Sequence, residues 1–300
     1  MRRNLIRIPG LGLMGLMLVL LLMQSCNRDP YMPNTTPPII EIGSGDNTYG
    51  SNNDDQQLLA SLKVMTFNIH TLSPPSKPGE TDIAATAKVI TDASPDVVFL
   101  QEVDKNSGRN GYTGDQAKDL AAITKMNFVF YSATSVGRGM YGVAILSKYP
   151  LRTIKKYMLT KESESTEQRV LGTAVIDLPG VDSLTLAATH LQHNSATNRL
   201  QQIKDITRLT GPVKGTVIIG GDLNEMESNA EFFNVFDAMF TRTCKGGNCP
   251  PTFSAQLPRS VIDYIAYKPS NAFSVQSHKV INEYYASDHL PVIAELNFTR

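Results

Sequence analysis

Short apolar runs alternate with amphipathic segments along residues 61–300. Alternating or continuous apolar runs rich in Val, Ile and Phe are typical of strands, whereas apolar residues three or four apart are typical of helices. Strands are predicted over residues 62–68, 96–100, 128–131, 143–146, 170–177, 183–188, 216–219, 261–267 and 292–298. Helices are predicted over residues 81–93, with Thr81 as the N-cap, and over residues 115–125, 195–209 and 231–240. Because only some strands are separated by helices, an α/β fold with mixed sheets and outer helices is favoured over a doubly wound parallel sheet.

The N-terminal segment has a different pattern. Three arginines precede an unbroken apolar run at residues 11–23, which is shorter than the roughly 20 residues of a membrane span but suits a signal peptide. The next residues, Gln24-Ser25-Cys26, resemble the end of a bacterial lipobox, in which a small residue precedes the lipidated Cys. We therefore expect residues 1–25 to be a lipoprotein-type signal peptide and Cys26 to carry the lipid. An ordinary secretory signal is the alternative.

Residues 26–60 are rich in Pro, Asn, Ser, Gly and Asp and poor in apolar residues. Such a composition cannot bury a core, so this segment is predicted to be a flexible tether to a single domain at residues 61–300. With a lipid at Cys26, the sequence predicts an exported lipoprotein that is anchored to a membrane, in the periplasm or at the cell surface.

The other two cysteines, Cys244 and Cys249, flank Lys-Gly-Gly-Asn. In an oxidising compartment this turn-prone spacing favours a disulfide; two free thiols, or a metal site without its other ligands, are the alternatives. The formal net charge is zero, and removal of residues 1–25 would take away three arginines and no acids, which leaves a net charge of −3. The chain also has no Trp. Neither feature is typical of a protein that binds duplex DNA through a broad basic face or single strands by stacking.

Polar and ionisable side chains end or follow most of the predicted strands. Each is a weak signal by itself, but six such clusters in one domain indicate a site, because sheet ends bring distant loops to one rim. The clusters are Asn68 with His70, Gln101 with Glu102, His190, Asp222 with Asn224, Asp263, and Asp288 with His289. Carboxylates suit Mg²⁺ or Mn²⁺ and can activate water, and imidazoles can bind phosphoryl oxygens. Because no Ser or Cys nucleophile stands out, direct attack by water is favoured.

Seven motifs resemble, in the same order, those of the endonuclease/exonuclease/phosphatase superfamily. They are MTFNIH (65–70), LQEVD (100–104), ILSKYP (145–150), ATHL (188–191), GGDLN (220–224), VIDYI (261–265) and SDHLP (287–291). This metal-dependent superfamily includes DNase I, AP endonucleases, inositol polyphosphate 5-phosphatases and neutral sphingomyelinases. The resemblance covers residues 61–298 and implies a four-layer α/β sandwich, in which two mixed β-sheets are flanked by helices.

The resemblance also implies a site for Mg²⁺ or Mn²⁺. Glu102 resembles the main metal ligand, Asn68 the residue beside the metal and the phosphate, and Asp288 a carboxylate near the metal. The chain departs from AP endonucleases at His70, because they carry an acid two residues after the first Asn. The resemblance therefore implies no ligand for a second metal ion at His70.

The other matching residues are implied to be catalytic. Asp222 resembles the residue that activates the attacking water, and Asn224 its positioning neighbour. His190 and His289 resemble the pair that contacts the scissile phosphate, and Asp263 the acid that orients His289. Because neighbours on an extended segment point in opposite directions, we expect His289 to pair with Asp263 and Asp288 to face the metal.

These residues favour a metal-dependent hydrolase, a phosphodiesterase or phosphatase, that acts as a monomer on a phosphoester. The substrate could be a nucleic acid or a phospholipid headgroup, so a secreted nuclease is one alternative. A surface lipoprotein that binds without catalysis is the other, although all the core motif residues are present. Arg199 and Gln202, on the helix predicted after His190, are interpreted as mostly structural.

Overall fold

The computed structural model describes residues 39–43, 46–50, 54–180 and 182–300. The predicted signal peptide and Cys26 lie outside these residues. Two mixed sheets form the centre of the domain. The first has seven strands in the order β1 (Ile39–Gly43), β6 (Leu151–Met158), β7 (Val170–Leu178), β8 (Asp182–His190), β9 (Val217–Asp222), β11 (Asp263–Lys268) and β10 (Thr241–Arg242).

The second sheet has six strands in the order β12 (Phe273–Val280), β13 (Val292–Phe298), β2 (Ser61–Asn68), β3 (Val97–Lys105), β5 (Gly139–Ser147) and β4 (Asn127–Val136). Each sheet contains one parallel pair, β8 with β9 and β2 with β3, and the other neighbours are antiparallel. Within the described residues there are four α-helices: α1 (Ile83–Ala93), α2 (Gln116–Thr124), α3 (Ala196–Thr210) and α4 (Ala230–Asp237).

The apolar core has three parts, which define four layers. A central cluster joins the inner faces of the two sheets, with Phe99 and Tyr131 from one sheet and Leu186 and Ile218 from the other. A second cluster joins α1 and α2 to the six-stranded sheet, and a third joins α3 and α4 to the seven-stranded sheet. The predicted four-layer α/β sandwich is therefore confirmed.

Two glycines allow the sheets to approach each other around aromatic rings. A Cβ atom on Gly220 would lie 2.1 Å from the Phe99 ring, and one on Gly172 would lie 2.4 Å from the Tyr131 ring. Contacts this short are excluded in a packed core, so any larger residue would force the sheets apart. Gly220 is two residues from Asp222, and the same packing therefore supports the end of β9.

The strands and helices differ from the predicted ones mainly at their ends. β3 continues to Lys105, five residues beyond its predicted end, and α1 is capped by Asp82, which accepts a hydrogen bond from the Ala85 N–H at 3.0 Å, and not by Thr81. The prediction missed four strands, β1, β6, β10 and β12. The alternation of apolar and polar residues is weak in β6 and β12, because these strands carry several Lys, Arg, Ser and His residues.

Two described parts of the predicted tether contact the sandwich. β1 pairs with β6, and the Asn127 side chain holds the Tyr49 backbone through two bonds of 2.7 and 2.6 Å. Among the described residues, contacts with the sandwich therefore begin at Ile39, before the predicted domain boundary at residue 61. No helix among the described residues is long and apolar enough to cross a membrane.

A disulfide joins Cys244 and Cys249, whose Cα atoms are 5.8 Å apart. This is the pairing that the sequence favoured. The Glu227 carboxylate accepts hydrogen bonds from the Gly246 N–H, inside the disulfide loop, and from buried Arg242. Because Glu227 lies on the segment that follows β9, the disulfide loop is attached directly to the loop after Asp222.

Candidate active site

Strand register aligns three of the predicted residues. His190 ends β8 and lies opposite Asp222, which ends the parallel strand β9. Asp222 lies opposite Asp263, the first residue of the antiparallel strand β11. Asn68, at the end of β2 in the other sheet, donates from Nδ2 to Asp222 Oδ2 at 3.2 Å. The strand ends of both sheets therefore meet in one site.

Asn68 has a defined amide orientation. Its Oδ1 accepts the His70 backbone N–H at 3.1 Å, and a backbone N–H can only donate. Its Nδ2 therefore faces the other way, 3.1 Å from Glu102 Oε1 and 3.5 Å from His289 Nε2. Asn68 presents a donor to the site, and its contacts are those of a residue that positions the two carboxylates. Its role as a metal ligand stays a prediction.

The segment that fixes Asn68 is a strained turn. His70, Thr71 and Leu72 have φ values of 46°, 54° and 62°, a region that non-glycine residues avoid at a cost of about 1–2 kcal/mol each. Gln116 Nε2 donates to the Thr71 carbonyl at 2.8 Å, and the His70 Nδ1 lies 2.7 Å from the Ser73 carbonyl, which stabilises the turn. Strain of this kind persists where the surrounding structure supports it, which is common at functional sites.

Glu102 is presented by an irregularity in β3. The register of β3 against β5 shifts between Leu100 and Val103, and Glu102 itself has a φ of 54°. Such a bulge redirects a side chain that regular pleating would place elsewhere. The Glu102 side chain thereby reaches Asn68 at the edge of the site, where it is half-buried.

His289 pairs with Asp263. The His289 Nδ1 lies 3.0 and 3.2 Å from the two Asp263 oxygens, and the Phe253 ring packs against the imidazole with centroids 4.8 Å apart. Burial alone lowers the pKa of His289, but the carboxylates of Asp263 and Asp222 outweigh it and raise this pKa to about 10. His289 is therefore an imidazolium at neutral pH, with Nε2–H directed into the site.

Asp288 does not share that bond. Its side chain lies 3.5 Å from the Ser287 hydroxyl, and its carbonyl accepts the Ala255 N–H at 2.7 Å. The Ser287 hydroxyl donates to the Asn68 carbonyl at 2.7 Å and so ties this turn to the end of β2. Asp288 and His289 thus have separate partners, as the extended geometry of the segment predicts.

Asp222 lies at the centre of the site and is buried. Its Oδ2 is 3.5 Å from His190 Nε2 and 3.7 Å from His289 Nε2, and its Oδ1 accepts the Asn224 N–H at 2.8 Å. Burial, together with the neighbouring charge of Asp263, raises the pKa of Asp222 to about 7. A carboxylate with that pKa can take up a proton near neutral pH.

His190 has a partner that the sequence did not reveal. Arg169 Nη1 lies 3.0 Å from His190 Nδ1, and a guanidinium can only donate, so Nδ1 is the acceptor of this bond. Burial and then the charge of Arg169 lower the pKa of His190 well below its ordinary value. The available signal was weak: an Arg directly before the apolar run of β7.

Arg199 and Gln202 support the loops around the site, as their interpretation as structural residues requires. Arg199 Nε donates to Glu225 Oε2 at 2.9 Å, and its Nη1 donates to the carbonyls of Gln192 and His193. Gln202 Oε1 accepts the Gln192 N–H at 2.9 Å. The loops that follow His190 and Asn224 are thereby held to α3.

One group of described residues has the spacing of a cation site. Asp222, Asp263 and His289 have ligand atoms within 4.8 Å of one another, and in the structure His289 and Asp263 are hydrogen-bonded to each other. Glu102 and Asp288 lie outside this group. The Lys and Arg ion pairs among the described residues involve other carboxylates, and carboxylates of this kind suit a divalent cation.

Comparisons with known proteins agree with this geometry. The model of the Endonuclease/Exonuclease/phosphatase family matches residues 65–289. The crystal structure of an endonuclease/exonuclease/phosphatase from Beutenbergia cavernae is 26% identical, with 80% of this chain and 72% of that chain covered and a TM-score of 0.69. One from Bacteroides vulgatus is 19% identical, with 80% and 100% covered and a TM-score of 0.64, and therefore shows the fold alone. No curated protein matches the chain.

Proposed function

The chain belongs to the endonuclease/exonuclease/phosphatase family, and from this premise we propose that it is a metal-dependent hydrolase in which water attacks a phosphoester directly. The observation that carries this proposal is the position of Asp222. Its buried carboxylate lies within 3.7 Å of two imidazoles, and burial together with Asp263 raises its pKa to about 7. Asp222 is accordingly the residue that orients the attacking water and accepts its proton.

The two histidines differ in charge. His289 is cationic because of Asp263, so its Nε2–H stabilises the negative charge that develops on the phosphoryl or leaving oxygen. His190 is neutral, and its Nδ1 accepts a hydrogen bond from Arg169, while its Nε2 lies 3.5 Å from Asp222 Oδ2. One cationic and one neutral imidazole beside a single carboxylate suit a reaction that gains charge on oxygen.

Glu102 and Asp288 would hold a divalent cation, Mg²⁺ or Mn²⁺, with Asn68 orienting Glu102 through its amide group. When bound, such an ion neutralises phosphate charge and polarises the scissile bond. The remaining chemistry belongs to side chains of the chain itself: Asp222 moves a proton, and Asn224 Nδ2 lies 3.0 Å from His190 Nε2 and braces the loop at Leu191.

Export and anchoring form part of the proposal. A disulfide between Cys244 and Cys249 is consistent with an oxidising compartment, and the apolar run before Cys26 with a lipoprotein signal. A binding protein without turnover is disfavoured, because the catalytic residues make mutual contacts that ligand binding alone does not require.

The test is a substrate panel with the full chain. It contains bis-p-nitrophenyl phosphate, p-nitrophenyl phosphate, plasmid DNA, RNA and phosphatidylcholine, each with Mg²⁺, Mn²⁺ or EDTA. We expect metal-dependent hydrolysis of at least one, with kcat lowered roughly 10²–10⁴-fold in Asp222→Asn. Asp205→Asn, a buried carboxylate of α3 outside the site, is the matched control. A blank panel with both metals would refute the proposal, and nicking of plasmid as the dominant activity would identify a nuclease.

A further inference from the structure

Large apolar side chains are unevenly exposed over the described surface. Those with more than a third of their surface exposed are Leu58, Ile123, Met140, Met226, Leu257, Val275 and Tyr284. Four of the seven, Met140, Met226, Leu257 and Tyr284, lie on segments that carry or contact the active site. We refer to these four side chains as the apolar rim.

Two rim residues lie on adjacent loops beside His289. Leu257 is on the loop that begins at Phe253, whose ring contacts His289. Tyr284 is four residues before Asp288 on the other loop. Gln256 Nε2 donates to the Tyr284 carbonyl at 3.1 Å, so the two loops are joined next to these exposed side chains.

The other two rim residues lie on further site segments. Met226 follows Asn224 by two residues on the loop after β9. Met140 is opposite Lys105, three residues beyond Glu102 along β3. Four separate segments around one site thus each expose one large apolar side chain.

Two of the remaining exposed residues are at the other end of the sandwich. Leu58 precedes the start of β2, the end opposite Asn68. Val275 is opposite Leu296, which is itself opposite Leu62 near the start of β2. These two residues provide a natural comparison set, because they are similarly apolar and exposed but distant from the site along the strands.

We propose that the apolar rim docks on a lipid bilayer and presents the active site to phosphoesters held in it. The rim side chains are 42–59% exposed and lie on separate segments, three of them on loops and Met140 at the start of β5, so they suit a surface that yields to them. Tyr284 has the amphipathic ring that is favoured at bilayer interfaces. Only residues 27–38 separate Cys26 from β1, a length of at most about 45 Å, so a lipid on Cys26 would keep the domain near a membrane.

The docking step stands apart from catalysis, whereas the assignment of an amphiphilic phosphoester as substrate rests on the proposed function. Docking is tested first with single-tryptophan reporters, since the chain contains no Trp. Leu257→Trp and Tyr284→Trp are compared with Leu58→Trp and Val275→Trp in the full chain carrying Cys26→Ala. Every variant has the same N-terminus, so differences between them report the local surface.

On phosphatidylcholine vesicles we expect the emission of Trp at 257 and 284 to shift to shorter wavelength and to be quenched by brominated lipid. Trp at 58 and 275 should show neither change. Equal quenching at all four positions, or none at 257 and 284, would overturn the docking proposal. A shift at 257 that depends on protein concentration without lipid would also overturn it, because it would identify a second copy of the chain as the occupant.

The link to turnover is tested with Met226→Gln/Leu257→Asn/Tyr284→Asn against Leu58→Asn/Val275→Asn. The rim variant should lose at least about tenfold in kcat/KM on phosphoesters in vesicles and keep its rate on bis-p-nitrophenyl phosphate. A parallel fall on the soluble substrate would overturn the rim's role in presentation. If the parent docks but hydrolyses neither substrate, the proposed function fails while the docking surface stands.

Discussion

Replacement of Asp263 by Asn tests the charge assignment of the site. In the structure the Asp263 oxygens lie 3.0 and 3.2 Å from His289 Nδ1, and both residues are buried. Asn has nearly the same shape and can still accept the Nδ1–H, so the substitution removes the charge of the partner and little else. The proposed mechanism needs that charge, because it keeps His289 protonated.

The size of the effect follows from the pKa of His289. Burial lowers this pKa, yet the nearby carboxylates, Asp263 foremost, raise it from 6.5 to about 10. A difference of this size corresponds to about 5 kcal/mol of net interaction with the imidazolium. Without the Asp263 charge, only Asp222 and Asp288 still oppose burial, so the pKa of His289 should return to about 7 or below. At pH 8 roughly a tenth or less of the molecules would then keep the proton.

The assay is kcat/KM as a function of pH on the best substrate of the panel. The parent should lose activity below about pH 7, where Asp222 is protonated, and again near pH 10, where His289 is deprotonated. In Asp263→Asn the alkaline limb should move down by two units or more, and kcat at pH 8 should fall roughly 10²-fold. Asp205→Asn should leave both limbs in place.

The same pKa has a consequence for stability. A histidine whose pKa is raised on folding stabilises the fold fully below its unfolded value of 6.5, and this contribution is lost as the pH rises through about 10. The free energy of unfolding from urea titrations should therefore fall between these values in the parent and stay nearly flat in Asp263→Asn. An alkaline limb that remains near pH 10 in the variant would show that Asp263 does not hold the charge of His289.

Two further predictions concern other parts of the chain. Arg169→Met should lower kcat about tenfold, with a small change in KM, because His190 loses the donor that holds its Nδ1 and so orients the ring. Arg169→Lys should restore part of the rate, and an unchanged kcat in the Met variant would contradict this positioning role of Arg169. His278 on β12 has its pKa lowered by burial to about 4, so its contribution to stability is present above pH 6.5 and is lost as the pH falls toward 4. The free energy of unfolding from urea titrations should fall between pH 7 and pH 4.5 by about 2 kcal/mol more in the parent than in His278→Gln. Equal falls in the two proteins would refute the burial effect.

The periodicity of the sequence was sufficient for the strands with clear alternation. β13 was predicted with its observed bounds, and α3 within one residue of its start and end. β12 was missed because it lies at a sheet edge and has only one buried side chain, Phe273. Edge strands of this kind are held by pairing with a neighbour, a contribution that no local pattern contains.

The strand β1 is a second case in which pairing with a distant strand, and not the local sequence, determines the structure. Composition predicted a flexible segment around it, because Pro, Asn, Ser and Gly dominate residues 26–60. Its order comes instead from pairing with β6, and the next residues are held by the Asn127 side chain, which bonds both the N–H and the C=O of Tyr49. A side chain that is distant in sequence satisfies the backbone here, and composition cannot report it.

For the active site, residue types were predictable and their partners were only partly so. The alternation of side chains on an extended segment predicted that Asp288 and His289 have separate partners, and the family resemblance implied Asp263 as the partner of His289. The contact of Arg169 with His190 and the orientation of Asn68 could not be predicted from the sequence, since both depend on the folded structure. Arg169 reaches His190 on the neighbouring strand, and the His70 N–H decides which end of the Asn68 amide faces Glu102.

Register explains why polar residues at separate strand ends become one catalytic unit. Parallel pairing of β8 with β9 places His190 opposite Asp222, and antiparallel pairing of β9 with β11 places Asp222 opposite Asp263. A shift of either pair by one residue would turn these side chains to the opposite face. Gly220 and Gly221 resist such a shift, because a Cβ on either would lie about 2.1 Å from Phe99 or from the Thr189 carbonyl. The glycines before Asp222 therefore act on the chemistry through packing: they fix the register that brings Asp222 between its two histidines.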